Sequence, residues 1–129
     1  MNTKVKNTVL VVGASDKPDR YSTRAIKMLQ DAKYTIIGIH PSLRVAEGTD
    51  VYPSLDQIPE ALSNTIDTVT MYVNTQVSDN MIESLKRLSP RRIIWNPGSE
   101  NLSVIDRLKE TSIQNIEACT LVLLSTDQF

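Results

Sequence analysis

Short apolar runs alternate along the chain with longer segments in which apolar residues recur every three or four positions. The runs are rich in β-branched residues and bounded by turn residues, which is typical of strands buried on both faces. Strands are predicted at residues 8–12, 34–39, 67–73, 92–95 and 113–118. Helical spacing predicts helices at residues 24–32, 74–88 and 102–111. The last apolar piece, residues 121–124, is too short to assign.

The order of these elements indicates the fold. Residues 41–64 are expected to be mostly irregular, with a short extended piece at Val51 and Tyr52 and a helical turn near residues 54–58. Elsewhere strands and helices alternate, which predicts an α/β fold with a Rossmann-like, doubly wound, mostly parallel sheet of about five strands flanked by helices. The 129 residues are expected to form a single domain, residues 1–129.

The composition excludes several classes of function but does not by itself indicate one. The chain has 14 Lys+Arg against 15 Asp+Glu and no block of like charges, so neither a nucleic-acid partner nor a membrane surface is indicated. The apolar stretches are far shorter than the ~20 residues that cross a bilayer, and a cytoplasmic location is expected. One cysteine and one histidine predict neither an internal disulfide nor a metal site.

Polar residues that follow the predicted strands are the candidate site, because ligands of such sheets bind outside the carboxyl ends of the strands. The first strand is followed by Gly13 and Ser15, then Lys17 and Arg20, and then a helix that Ser22 or Thr23 is expected to cap. This arrangement fits a phosphate loop at a helix N-terminus. The glycine pattern of dinucleotide-binding loops is incomplete, so a purely structural turn stays open on these residues alone.

The end of the second strand argues against NAD. Dinucleotide-binding folds place an acidic residue there to hold the adenosine ribose. This chain has His40 and Pro41 instead, with Arg44 close behind and no acidic residue before Glu47. The pattern suits a ligand with a further phosphate near its ribose, and a plain strand-ending turn is equally compatible with it.

Several pieces together resemble the CoA-binding Rossmann-like family of small, mostly bacterial proteins, related to the CoA-binding domain of the succinyl-CoA synthetase alpha subunit. The pieces are "VVGASDKPDRYSTRAIKML", "YTIIGIHP", "VYPSLDQIP", "DTVTMYVN", "IIWNPGSEN" and "EACTLVLL". The chain departs from the family pattern at Lys33, where a glycine is usual, at His40, where an asparagine-like residue is usual, and in "NPGSEN". The resemblance implies coenzyme A or an acyl-CoA as the ligand.

The resemblance also implies roles for individual residues. Phosphate contacts are expected from Gly13, Ala14, Ser15 and Lys17, with Arg20 and Ser22 close by. Adenine and ribose contacts are expected from His40, Pro41, Val73 and Asn74. Pro97 and Gly98 are expected to form a wall near the pantetheine.

Three hypotheses of function remain. The first is a binding module for coenzyme A or acyl-CoA, with no catalytic residue assigned, whether as a homo-oligomer or beside a partner enzyme. The second is an NAD(P)-binding, oxidoreductase-like protein. The third is an interaction protein that has kept only the fold. On the first hypothesis, replacing Gly13 by valine is expected to abolish binding and leave the fold intact.

Overall fold

Seven strands and six helices make up the regular structure of the computed structural model, which describes residues 6–129. The strands are β1 (Thr8–Val12), β2 (Thr35–Ile39), β3 (Val45–Ala46), β4 (Thr49–Tyr52), β5 (Ile66–Met71), β6 (Arg92–Trp95) and β7 (Gln114–Glu117). The helices are α1 (Tyr21–Asp31), α2 (Glu60–Ser63), α3 (Thr75–Ser78), α4 (Ile82–Leu88), α5 (Leu102–Arg107) and α6 (Thr120–Ser125). A 3-10 turn occupies Leu55–Gln57. None of the helices in residues 6–129 combines the length and apolar character that a membrane crossing requires.

The strands form one sheet in the order β3-β4-β2-β1-β5-β6-β7. All neighbouring pairs are parallel except β3 and β4. From β1 the chain steps to β2 on one side and later returns to β5 on the other, so the strand order reverses between β1 and β5. Val12 and Met71, the last residues of these two strands, are register partners. The structure thus places the topological switch point between their carboxyl ends.

Both faces of the sheet are covered by helices, which explains the uninterrupted apolar runs of the central strands. On one face, Leu10 and Trp95 belong to a core that includes Leu85 of α4 and Val104 of α5. On the other face, Val9 and Val11 pack with residues of α1 and α6. All five residues of β1 are buried. The predicted α/β fold with a mostly parallel sheet is therefore confirmed.

The prediction of five strands missed a hairpin in the segment that was expected to be mostly irregular. β3 and β4 pair through Val45 with Asp50, around a two-residue turn at Glu47 and Gly48. β4 in turn pairs in parallel with β2, Gly38 lying opposite Val51. A strand of two residues carries no usable periodicity, and its order comes from this pairing rather than from local preference.

The predicted helix over residues 74–88 is wrong as one element, because the structure divides it into α3 and α4. The division coincides with contacts from Asn101, whose side-chain amide donates to Ser78 Oγ and Asp79 Oδ1, both at 2.8 Å. Asn101 also caps α5 by accepting from Val104 N at 3.2 Å. One buried side chain thus ties the ends of two helices together, which periodicity along a single segment cannot reveal. The unassigned residues 121–124 lie in α6.

Candidate functional site

A cleft of about 630 Å³ lies at the carboxyl edge of the sheet, over the ends of β1 and β5. Its volume is within the range of small-molecule sites, roughly 300–1,000 Å³. Four segments line it: 13–17 with 20–22, then His40 with Leu43, then 72–74, and 96–99. Every residue predicted for the site lines this cleft except Pro41, which is exposed beside it. The structure therefore brings together residues from four separate strand ends.

Gly13 lies close against the backbone at the end of β5. Its φ is +93°, and a Cβ atom there would lie 2.9 Å from the carbonyl oxygen of Tyr72. The N–H groups of Gly13 and Ala14 both donate to the carbonyl of Ile39 at 3.0 Å. These two amides are therefore committed to the fold. Gly13 and Ala14 therefore line the cleft without offering a free backbone N–H group. The N–H donors that a ligand could reach lie further along the loop.

The loop that leads into α1 is held by hydrogen bonds to Ser15. Thr23 Oγ1 donates to the carbonyl of Ser15 at 2.9 Å, and Lys17 N donates to Ser15 Oγ at 3.1 Å. The helix begins at Tyr21, earlier than predicted, with Arg20 as its N-cap residue and no side-chain capping bond. The expected capping by Ser22 or Thr23 is wrong, because both residues are buried inside the first turn. The first-turn N–H groups of α1 have no intrahelical acceptors.

The charged groups of the cleft are mostly cationic. Lys17 and Arg20 line it beside a single carboxylate, that of Asp16. In the described part of the chain, neither Lys17 nor Arg20 takes part in an ion pair. Two unpaired cations next to the positive end of the α1 dipole favour an anionic ligand.

His40 is held in one orientation by its own loop. Its Nδ1 accepts hydrogen bonds from the N–H groups of Ser42 and Leu43, both at 3.1 Å. Its backbone N–H donates to the carbonyl of Tyr52 at 3.1 Å, which fixes the residue against β4. Because Nδ1 accepts, the neutral ring carries its proton on Nε2. Arg44 does not line the cleft, and its guanidinium folds back onto the carbonyl of Leu43 at 2.8 Å.

Tyr72 places a buried hydroxyl under the cleft. The hydroxyl makes no hydrogen bond of normal geometry, although the hydroxyls of Thr120 and Thr70 lie nearby. Burial raises the pKa of Tyr72 to about 12, against smaller opposing contributions from Thr120 and Thr70. The folded protein therefore favours the neutral phenol more strongly than the unfolded chain does.

Replacing Tyr72 by phenylalanine is expected to flatten the pH dependence of stability above pH 10. A folded-state pKa raised from 10.0 to about 12 gives a contribution that is complete below pH 10 and is lost as the pH rises toward 12. Phenylalanine removes this loss, and at pH 7 it changes the unfolding free energy by less than about 1 kcal/mol, since the hydroxyl lacks a partner. Urea unfolding of both proteins at pH 7, 10 and 11 measures the difference. Parallel pH dependences would contradict the assignment.

Asn96 builds the floor of the cleft between β5, β6 and α6. Its Nδ2 donates to Thr70 Oγ1 at 2.7 Å and to the carbonyl of Met71 at 2.8 Å. Its Oδ1 accepts from the N–H of Thr120 at 2.8 Å. The buried amide thus makes three hydrogen bonds, two to β5 and one to α6, and these bonds fix the position of the residues that follow it.

The loop after Asn96 is closed by its own acidic residue. Glu100 Oε1 accepts from the N–H of Gly98 at 2.8 Å, and Ser99 Oγ donates to the carbonyl of Asn96 at 2.8 Å. Pro97 and Gly98 line the cleft, as the resemblance implied, while the N–H of Gly98 is already bonded. Asn74, after the neighbouring strand β5, accepts from Val77 N through Oδ1 and so caps α3.

Other lining residues escaped the predicted set. Tyr21, Leu43, Tyr72, Asn96 and Ser99 also line the cleft, together with Asp16. Tyr72, Asn96 and Ser99 fall in stretches that follow strands, so their position was a usable signal. Tyr21, which is 66% exposed, and Leu43 also lie in stretches that follow strands, but neither side chain has chemistry that would single it out as a site residue. Residues 6–129 contain no group of three or more His, Cys, Asp and Glu residues that could hold a metal ion.

Comparisons by sequence agree with the fold. The profile of the family described as CoA binding domain matches residues 7–125. Over 50 residues the chain is 44% identical to the uncharacterized protein YneT of Bacillus subtilis strain 168. That stretch is 39% of this chain and 37% of YneT.

Comparisons by structure extend over most of the chain. A crystal structure of an uncharacterized protein superposes with a TM-score of 0.86 at 29% identity, covering 97% of this chain and 99% of that one. The dinucleotide-forming acetyl-coenzyme A synthetase 1 of Ca. Korarchaeum cryptofilum, solved in complex with phosphate and ADP, superposes with a TM-score of 0.71 at 16% identity. The superposition covers 89% of this chain and 26% of the synthetase. At 16% identity the likeness shows the fold alone.

Proposed function

The chain belongs to the CoA-binding domain family, and from this premise we propose that the cleft at the carboxyl edge of its sheet binds coenzyme A, free or acylated. The observation that carries the proposal is the grouping of unpaired Lys17 and Arg20 with the first turn of α1 around one cleft. An anionic ligand meets donors and positive charge there without displacing an existing ion pair.

The residues present fit the phosphates of such a ligand. Gly13 brings no side chain into this part of the cleft, and a Cβ at this position would lie 2.9 Å from the carbonyl oxygen of Tyr72. A pyrophosphate lying over it would reach the N–H groups of the first turn of α1, including that of Ser22. Lys17 and Arg20 would add charge-assisted hydrogen bonds, and Ser15 offers a hydroxyl already held by the loop.

The rest of the ligand is assigned to the neighbouring walls. Adenosine would lie between His40 and the Val73–Asn74 turn, and pantetheine would run past Pro97 and Gly98. Pro41 is given no contact, because it stands outside the cleft. The N–H of Gly98 is bonded to Glu100, so this wall contributes packing rather than a free backbone donor.

The proposal assigns binding and no chemical step to these residues. His40 is the only histidine, and its Nδ1 lone pair is already engaged by two backbone N–H groups. The ring is therefore arranged to donate a hydrogen bond rather than to take a proton from a substrate. A protein of this kind would act as a carrier, a sensor or a subunit that presents coenzyme A to another protein.

Thermal unfolding with different nucleotides tests the proposal. At about 100 times its dissociation constant a ligand stabilises the native state by ~2.7 kcal/mol, which raises the midpoint by on the order of 10 °C for a chain of this size. We expect this rise with coenzyme A and acetyl-CoA and little change with NAD⁺ or ATP. A larger rise with NAD⁺ or NADP⁺ would favour the dinucleotide hypothesis. No rise with any of them would favour a fold without a ligand.

A further inference from the structure

We propose that His40 is a specificity-determining residue that recognises a terminal phosphate on the ribose of the ligand through its Nε2–H. The inference rests on the proposed function and assigns to one side chain the distinction between coenzyme A and its 3′-dephospho form. The observation behind it is that Nδ1 of the ring bonds to the protein, whereas Nε2 bonds to no described residue.

The Nδ1 side of the ring serves the protein. Its bonds from Ser42 N and Leu43 N, both 3.1 Å long, hold the loop after β2, and Ser42 Oγ lies 3.4 Å from the same atom. An asparagine would supply a carbonyl oxygen at the corresponding distance from Cβ and could accept the same two hydrogen bonds. Loop capping alone therefore does not account for a histidine at this position.

The other ring nitrogen, Nε2, takes no part in these bonds to the loop. His40 lines the cleft, and no residue of the described chain accepts a hydrogen bond from Nε2. Two hydrogen bonds to Nδ1 hold the ring, so the Nε2–H donor has a fixed position. The side chain therefore loses its conformational entropy on folding and not on binding of the ligand. An asparagine has no group at this distance.

The chemistry of the end of β2 favours a phosphate as the acceptor. No carboxylate lines this side of the cleft, and Glu47 lies 3.8 Å from Lys27 instead. A dianionic phosphate monoester accepts a charge-assisted hydrogen bond, which is stronger than the bond that a ribose hydroxyl accepts. A donor fixed at this place therefore discriminates by phosphorylation state rather than by base.

Two substitutions of His40 test the roles of the two ring nitrogens separately. His40→Asn keeps an acceptor in the Nδ1 position and removes the Nε2–H, whereas His40→Gln keeps an N–H in the Nε2 position and removes the acceptor. The dissociation constants of coenzyme A and 3′-dephospho-CoA are measured for wild type and both variants by titration calorimetry, with the thermal midpoint as a check on folding.

We expect the wild type to bind coenzyme A at least tenfold more tightly than 3′-dephospho-CoA. His40→Asn should abolish most of this ratio by weakening coenzyme A alone, with the midpoint unchanged. His40→Gln should lower the midpoint and retain more of the ratio than His40→Asn does. Ring ¹⁵N shifts of the unliganded wild type should show the Nε2–H tautomer.

The outcomes that overturn the inference differ from those that overturn the proposed function. Equal weakening of both ligands by His40→Asn, or an unchanged ratio, would show that His40 does not read the phosphate, while coenzyme A binding itself stands. A wild type that binds neither ligand would overturn the proposed function and this inference with it.

Discussion

Replacing Gly13 with alanine is expected to lower the free energy of unfolding by roughly 3 kcal/mol or more. The φ of +93° alone costs an L-residue about 1–2 kcal/mol. The new Cβ would also lie 2.9 Å from the carbonyl oxygen and 3.0 Å from the carbonyl carbon of Tyr72. Tyr72 cannot withdraw easily, because its N–H donates to the carbonyl of Val12 at 2.8 Å. Urea unfolding measures the effect.

Gly98→Ala is the matched control for this substitution. Gly98 has a similar φ of +89°, but no atom lies within 4 Å of the position that a Cβ would take. Its cost should therefore stay near the conformational part alone, about 1–2 kcal/mol. Equal costs at the two glycines would contradict the close approach. The same close approach predicts that Gly13→Val is destabilised at least as strongly as Gly13→Ala, so loss of binding in the valine variant would not by itself identify a phosphate contact.

Removing the two cleft cations is expected to weaken coenzyme A binding by roughly tenfold for each charge. Lys17→Gln and Arg20→Gln keep much of the side-chain length and leave no broken ion pair behind, so the thermal midpoint without ligand should not change. The double variant should lose on the order of a hundredfold if the two contacts are independent. Titration calorimetry at low and at high salt measures affinity and its screening.

The control is Arg107→Gln with Lys109→Gln, which removes the same charges from a groove between α4 and α5 and breaks only the exposed pair of Lys109 with Asp106. The net charge of this control equals that of the double cleft variant, so long-range electrostatics change similarly. We expect it to bind coenzyme A as the wild type does. Comparable losses in the two double variants would mean that overall charge, and not the loop at residues 13–22, governs binding.

The central strands and the place of the site could be predicted from the sequence because both depend on local signals. The run ending at Val12 is apolar on both faces, and the polar loop that follows it must then lie at a sheet edge. The carboxyl ends of parallel strands lie at one edge of their sheet, so the four strand ends that line the cleft could be expected to meet there. The β1 and β6 boundaries were predicted to the residue.

What could not be predicted depends on contacts between distant segments. Asn101 reaches Ser78 and Asp79, and the single helix predicted there ends at this contact. Ser22 and Thr23 have the residue types of N-caps, but the Thr23 hydroxyl bonds to Ser15 inside the structure. The β3–β4 hairpin is ordered by pairing with β2. Each case is a tertiary interaction that outweighs a local preference.

The roles of individual cleft residues were the least predictable part. Gly13 and Ala14 were expected to contact a phosphate, but the N–H groups of both residues are bonded to the carbonyl of Ile39. The tautomer of His40 depends on Ser42 and Leu43, which sequence alone gives no reason to connect with the ring. The residue types therefore predicted which residues lie at the cleft. Their hydrogen-bonding partners in the fold decide which donors and acceptors each residue can offer a ligand.

The most direct measurement is a titration of the ¹⁵N-labelled protein with coenzyme A, followed by amide chemical shifts. We predict saturable shifts concentrated at residues 13–23, 40–43, 72–75 and 96–99, with the groove between α4 and α5 unaffected. Shifts confined to that groove, or no saturable shift at millimolar coenzyme A, would contradict the assignment of the cleft as a coenzyme A site.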